Sequence, residues 1–344
     1  MSAIAYDEPR SDAWLRNQQF DLVFIVGLTV LALASGAAVL IDPRLLMPIL
    51  IADLWLLGYH HVVSTYTRLC FDKDSLQRYR FLIFGLPFLV AAGCLAAVFA
   101  VSDIWILVSI YFYWQWFHYA RQSWGVAQAY RRKGGGDLPA QTMVDQAMFY
   151  ALPVAGVIVR SAQDVDTFLG LPIRMIPLPV AVADAVLLVA LALFAIWAVQ
   201  LVRRSRRGAA PSRPYVLYQL THHLIFFVAY VLIEDITVGW LVVNIWHNGQ
   251  YILFVWMFNN RRFNGGPTAK APLLSRLSQN GRIAWYLATC LVISTAVYWM
   301  LGNVLPLFLA LPIFIVYQVI NFHHYIVDAV IWRSAQVKLA LQSA

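Results

Sequence analysis

The chain has 344 residues, of which 61% are hydrophobic and only 12% charged, and its mean hydropathy is +0.67. Soluble domains carry about 25% charged residues, so the composition excludes an ordinary soluble globular protein and places the chain among helical membrane proteins. A net charge of +8 would suit nucleic acid, but the distribution of the basic residues, taken up below, speaks for membrane topology and against that partner.

Residues 1–19 are polar and mixed in charge, lack a cleavable signal pattern and read as a cytoplasmic N-terminal segment. Ten apolar segments follow: 20–41, 45–71, 81–101, 104–130, 144–161, 177–202, 214–233, 237–260, 283–301 and 305–332. Most exceed the roughly 20 residues that a bilayer requires. The fifth is the weakest: it holds Pro153 and reads either as a span or as a re-entrant or interfacial helix. Residues 334–344 read as a cytoplasmic tail. The expected fold is therefore all-α, a polytopic transmembrane helical bundle of about ten spans in residues 20–333, with both termini cytoplasmic.

Orientation rests on the basic residues. Of the 25, 22 fall at the termini or in alternate connections, leaving Arg44, Arg160 and Arg174 for the other side. Such alternation is what the positive-inside rule produces for ten spans in a bacterial-type inner membrane. The three cysteines, Cys70, Cys94 and Cys290, show no metal-ligand spacing and no disulfide framework; they read as small buried hydrophobes.

The polar residues inside the apolar segments carry the functional signal. All eight histidines lie in five of the ten segments, in LGYHHVVSTYTR (His60, His61), WQWFHYARQSWG (His118), YQLTHHLIFF (His222, His223), NIWHNGQY (His247) and NFHHYIVDAVIWR (His323, His324). Counted from the cytoplasmic ends at 1.5 Å per residue, they lie ~13–20 Å deep, in one layer. Independent structural histidines need not share a depth; a joint site must. Amides and carboxylates sit one helical turn away. Gln219 precedes His223 by four residues, Asn244 and Gln250 flank His247 at three, and Asp328 follows His324 at four. Metal-bound imidazoles usually donate their second N–H to such groups. Asp53, seven residues before His60, reads as an orienting group, a proton relay or a partner of another helix. Arg68, Arg121 and Arg333 lie between the histidine layer and the cytoplasmic surface. They read either as snorkelling anchors or as a basic rim for an anionic headgroup or an acidic electron donor.

Neutral imidazole suits iron, copper, zinc and nickel. Neighbours in a helix diverge by about 100°, so a His-His pair serves two ions more readily than one. Eight imidazoles over two ions leave open positions for O₂ or water. The arrangement resembles the integral-membrane non-haem di-iron enzymes: fatty-acid desaturases, hydroxylases and alkane monooxygenases. The resemblance is one of class, because the HxxxH and HxxHH boxes of those enzymes do not occur here. It implies a histidine-coordinated dinuclear iron centre that uses O₂ to hydroxylate or desaturate a lipid or other hydrophobic substrate. A membrane carotenoid-cleaving oxygenase fits the composition equally. Electrons would come from a soluble ferredoxin- or flavoprotein-type partner. Two other readings stay open: a b-type haem protein for electron transfer, for which four histidines at two depths are the usual need, and a metal or proton transporter, which needs polar groups strung toward both faces.

Overall fold

A computed structural model describes residues 13–134, 143–307 and 312–333. Among these residues ten long helices follow the ten apolar segments: α1 Gln18–Ile41, α2 Pro43–Cys70, α3 Leu86–Val101, α4 Trp105–Lys133, α5 Met143–Ala162, α6 Val180–Arg206, α7 Arg213–Leu232, α8 Ile236–Arg262, α9 Ile283–Asn303 and α10 Ile313–Ile331. Short helices at Lys73–Arg78, Arg80–Phe84 and Pro272–Leu277 complete the connections. Seven of the long helices (α1, α2, α5, α6, α7, α9 and α10) are long and apolar enough to cross a membrane by length and composition. α3 is apolar but shorter. α4 and α8 are long enough but carry the polar residues His118, Gln115, Asn244, His247 and Asn248 within their apolar stretches. α5 is one continuous helix of 20 residues through Pro153, which favours a full-length helix over the re-entrant alternative.

The surface has the polarity of a protein solvated by lipid. Phe88, Phe99, Leu188, Val292 and Trp299 are exposed, whereas Asp53, Gln219, His222 and Asn259 are buried. In water this distribution would be inverted. In hydrocarbon it is the stable one, because polar groups must find their partners inside the bundle.

α8 is the central helix, buried almost without interruption from Ile236 to Asn259. It packs on α1, α2, α4 and α7. Glycine permits the close approach at its start: a Cβ on Gly239 would overlap the carbonyl oxygen of Ala229 on α7. α7 itself ends in a π-turn, Val228–Leu232, which leaves carbonyls without helical partners. Arg160 of α5 caps them. Its guanidinium donates to the carbonyls of Ala229 (2.8 Å), Glu234 (2.7 Å) and Ile233. Arg160 is thus a buried structural cap within a helix, where the sequence pattern counts it with the sparse charges of the outer connections.

A second π-turn, Leu54–Gly58, lies in α2 between Asp53 and the His60-His61 pair. In a regular α-helix the seven-residue spacing sets Asp53 and His60 on one face. The extra residue of a π-turn moves that register by one, so His61 falls within about 20° of Asp53. This is why His61 points inward with Asp53.

The bundle has two distinct ends. At one, Arg262 pairs with Asp72 at 2.5 Å, Lys270 with Asp74 at 2.9 Å, and Arg16 donates to Asn260 at 2.5 Å. At the other lie the α1–α2 turn, with Arg44 paired to Asp42 at 2.9 Å, and a two-stranded hairpin, β1 Thr167–Phe168 and β2 Leu171–Pro172. The hairpin turns through Leu169 (φ 54°) and Gly170 (φ 73°), both left-handed, as a tight two-residue connection requires. It is tied down by Leu169 N–H donating to Thr237 Oγ1 at 3.1 Å.

Candidate metal centre

Four helices bring five donor side chains to one point. His61 comes from α2, His118 from α4, His247 from α8, and His324 with Asp328 from α10. Ligand atoms of His61, His118, His324 and Asp328 all lie within 4.8 Å of one another. The ring of His247 is centred 4.8 Å from that of His61 and 5.0 Å from that of His118. All five residues are buried. Nε2 of His61 and Nε2 of His324 are 2.7 Å apart, close to the roughly 2.9 Å that two imidazole nitrogens adopt at right angles around an ion with bonds of about 2.0–2.1 Å.

Each of three imidazoles lies against a tyrosine ring: His61 on Tyr251 at 4.1 Å, His118 on Tyr325 at 4.4 Å, and His247 on Tyr119 at 4.1 Å between centroids. These contacts restrict ring rotation. The fourth is fixed by hydrogen bonds. His324 Nδ1 is 3.1 Å from Thr65 Oγ1, and Thr65 in turn donates to Asp328 Oδ1 at 3.2 Å. Tyr251 donates to the same oxygen at 2.6 Å. With Nδ1–H of His324 donating to Thr65, its Nε2 lone pair faces the cluster, and with Oδ1 of Asp328 occupied, Oδ2 is left free toward the imidazoles at 3.6 Å from His324 Nε2.

The donors fit a cation. His118 Nε2, His247 Nε2 and Asp328 Oδ2 are buried without a hydrogen-bond partner in the protein. Such orphaned groups each cost about 1–3 kcal/mol unless something satisfies them. Three beside the close pair of His61 and His324 nitrogens, all lone-pair donors in neutral imidazole or carboxylate, are what a metal ion satisfies together.

The other four histidines lie elsewhere. His323 is 2.7 Å from Tyr66 Oη and 2.6 Å from the Leu82 carbonyl, which engages both ring nitrogens. His222 meets Ser123 Oγ at 2.8 Å and the Phe149 carbonyl at 3.1 Å, and His223 contacts Met148 Sδ and packs near Phe194. His60 is buried, with Nε2 unpartnered. The eight-imidazole assembly expected from their shared depth is therefore not gathered. Depth along a helix says nothing of azimuth, and neighbours about 100° apart cannot both face one point.

Two amides are displaced likewise. Gln219 donates to Tyr215 Oη at 3.0 Å; Gln250 accepts from Tyr218 at 3.1 Å. Asp53 and Asn244 adjoin the cluster. Asn244 donates to Asp53 at 2.5 Å, and its oxygen accepts from Tyr119 Oη, itself the acceptor of Gln115 Nε2. The three arginines form no common rim. Arg68 is buried between the rings of Phe258 and Trp332, at 4.5 and 4.2 Å, and donates to the Ile331 carbonyl at 3.2 Å. Arg121 reaches Tyr150 Oη at 3.5 Å, and Arg333 is exposed. The sequence reading does not assign the tyrosines Tyr119 and Tyr325, whose only signal is their position beside His118 and His324.

A cavity of about 270 Å³ adjoins the cluster, bordered by His61, His247 and His324 and extending past Trp240 to Leu169 and Leu171 of the hairpin. It extends from the cluster away from the basic end. An apolar groove of about 350 Å³ between α2, α9 and α10 shares Val62 and Tyr298 with it. The chain matches no protein-family model, no curated protein and no solved structure.

Proposed function

We propose that the chain is a ten-span membrane enzyme with both termini cytoplasmic, whose active centre is a metal ion held by His61, His118, His247, His324 and Asp328. The observation that carries the reading is the convergence of buried, unpartnered imidazole nitrogens and one carboxylate oxygen from four helices. The donor set suits one ion better than two, with iron first among candidates and copper or zinc as alternatives. A redox-active ion there would supply the activation of O₂ for hydroxylating, desaturating or cleaving a hydrophobic substrate. The chain's own part is to hold the donors rigid through Tyr251, Tyr325, Tyr119 and Thr65, to exclude water by burial, and to offer Asp53 through Asn244 as a proton-exchanging group. The apolar groove that meets the cavity at Val62 and Tyr298 supports delivery of substrate from the bilayer. Electrons would be supplied at the basic end by a soluble acidic donor.

Haem is the weaker alternative. Ligand atoms within 4.8 Å of one another, walled by three tyrosine rings, leave no slot for a porphyrin plane between facing imidazoles. A transporter is favoured by one observation: polar groups continue on both sides of the cluster, with Asp53 and Asn244 on one and Tyr251, Asp328 and Arg68 on the other.

Metal analysis and absorption spectroscopy of the purified protein test the proposal. The expected result is one iron per chain without a haem band, abolished in His118→Ala. A haem spectrum, or metal-free protein after expression in iron-replete medium, overturns it. Metal or proton flux in proteoliposomes without oxygen consumption would favour transport.

A further inference from the structure

The cavity beside the cluster is not purely apolar, and its polar groups are specific. Among the described residues no Asp, Glu, Lys or Arg lines it, so a buried ammonium, carboxylate or phosphate would find no charged side chain to pair with there, at heavy cost. Its polar lining is neutral, made of tyrosine hydroxyls, the imidazoles of the cluster and a set of amides. Gln115 and Asn244 stand three residues before His118 and His247, and Gln318 six before His324. At 1.5 Å per residue they form a tier about 4–9 Å from the cluster on its hairpin side.

The orientation of Gln115 follows from the network behind it. Asn244 Nδ2 donates to Asp53, so Asn244 Oδ1 accepts from Tyr119 and from Gln115 Nε2. That leaves Gln115 Oε1 without a partner, and Gln318 Oε1 is likewise unpartnered. Gln115 is 2% and Gln318 3% exposed. Two buried acceptors face the cavity, and Asn248 Nδ2 and Trp240 Nε1 on the same lining are buried donors without a partner, so the occupant must both donate and accept. The remaining walls are broad and apolar, with Tyr59, Tyr298, Tyr317 and Phe314 among them.

We propose that this cavity selects a neutral, hydroxyl-bearing apolar molecule, an alcohol in preference to a plain hydrocarbon or a charged lipid, with Gln115 and Gln318 as the residues that recognise the hydroxyl. A hydroxyl suits the tier because it donates to an amide oxygen and still accepts. A site built to hydrogen-bond a hydroxyl rejects the analogue lacking it, since the protein's own groups are then left unpaired. The inference rests on the reading of the cavity as the substrate space of the proposed metal enzyme, but it is tested without metal chemistry.

The test is photoaffinity labelling of the full chain in phosphatidylcholine nanodiscs, with a decanol carrying a diazirine in its chain. Decane, 1-decanol, decanoate and decylamine serve as competitors at equal mole fraction in the bilayer. The cavity is at the small end of ligand pockets, which suits a ten-carbon probe. Label is expected on cavity-lining segments of α2, α4, α8 or α10, with 1-decanol competing at least about tenfold better than decane and both charged compounds failing. Gln318→Leu and Gln115→Leu should each reduce the preference for alcohol over alkane, with labelling by a decane diazirine retained as the control for folding. Equal competition by decane, effective competition by decanoate or decylamine, or label confined to other segments overturns the proposal. Alcohol selectivity in a protein that binds no metal would sustain this inference and refute the enzyme reading; a metal-loaded protein indifferent to the hydroxyl would do the reverse.

Discussion

Asp328 has its two oxygens in different circumstances, and that difference defines its role. Oδ1 accepts from Tyr251 at 2.6 Å and from Thr65 at 3.2 Å, while Oδ2 is unpartnered. A carboxylate pinned at one oxygen presents the other in a fixed direction. Tyr251→Phe removes the pin without altering the ring that stacks on His61. Metal affinity should fall about 10–100-fold, the usual cost of losing a partner behind a ligand, and equilibrium dialysis with a competing chelator measures it. Unchanged affinity would show that Asp328 does not face the ion. The histidines divide by the same logic. His118→Ala and His247→Ala should each abolish stoichiometric metal, whereas His323→Phe should retain it, because His323 satisfies both nitrogens on Tyr66 and Leu82. Metal retained in both His118→Ala and His247→Ala, or lost in His323→Phe with the fold intact, would refute the five-donor assignment.

At the scale of elements, the helices tolerate polar interiors because other elements supply partners. Arg160 shows the dependence most directly. Leucine there would leave the carbonyls of Ala229 and Ile233 buried and unpaired. At about 1–3 kcal/mol each, Arg160→Leu should destabilise the protein by about 2 kcal/mol or more. Arg160→Lys should recover only part, since an ammonium lacks the planar fork that reaches several carbonyls. Thermal unfolding in detergent reads the difference, and a lysine variant as stable as the parent would count against the cap. This same residue marks where sequence reading stops. The ten helices were legible from apolar length, and the histidines as a group from their shared depth. Which histidine of each pair faces inward was not. That choice depends on the π-turn at Leu54–Gly58, which replaces the Asp53–His60 face by an Asp53–His61 face, and no local propensity announces such an insertion. His222 and His223 matched the depth criterion but sit on the side of α7 that packs against α5. Interhelical azimuth is a property of tertiary packing and leaves no trace in spacing.

For the whole molecule, the central question is how many helices cross the bilayer. Composition alone counts seven, an odd number that would put the two termini on opposite sides. The helices it omits are informative. α4 and α8 lose hydropathy because Gln115, His118, Asn244, His247 and Asn248 face inward, where no lipid reaches them. A window average charges those residues against the membrane although the neighbouring helices solvate them. With 29 and 27 residues, both helices exceed the length a bilayer needs. α3 continues from the turn Arg80–Phe84 and presents Phe88, Leu89 and Phe99 outward. The proposal of ten spans with cytoplasmic termini rests on counting these three helices, and single cysteines test it. After Cys70, Cys94 and Cys290 are replaced by alanine, cysteines introduced at Arg44, Asp103 and Gln163 should react with a membrane-impermeant maleimide in intact cells. Those at Arg207 and Lys270 should react only after permeabilisation. All five positions are exposed, so a lack of labelling reports sidedness and not burial. The pair Arg44 and Asp103 is the sharpest, because it flanks α2, α3 and the connection between them. Because α2 is long and apolar enough to cross, reaction of both from outside requires α3 to cross back. Protection of Asp103 alone would remove α3 from the membrane and with it the positive-inside alternation on which the orientation stands.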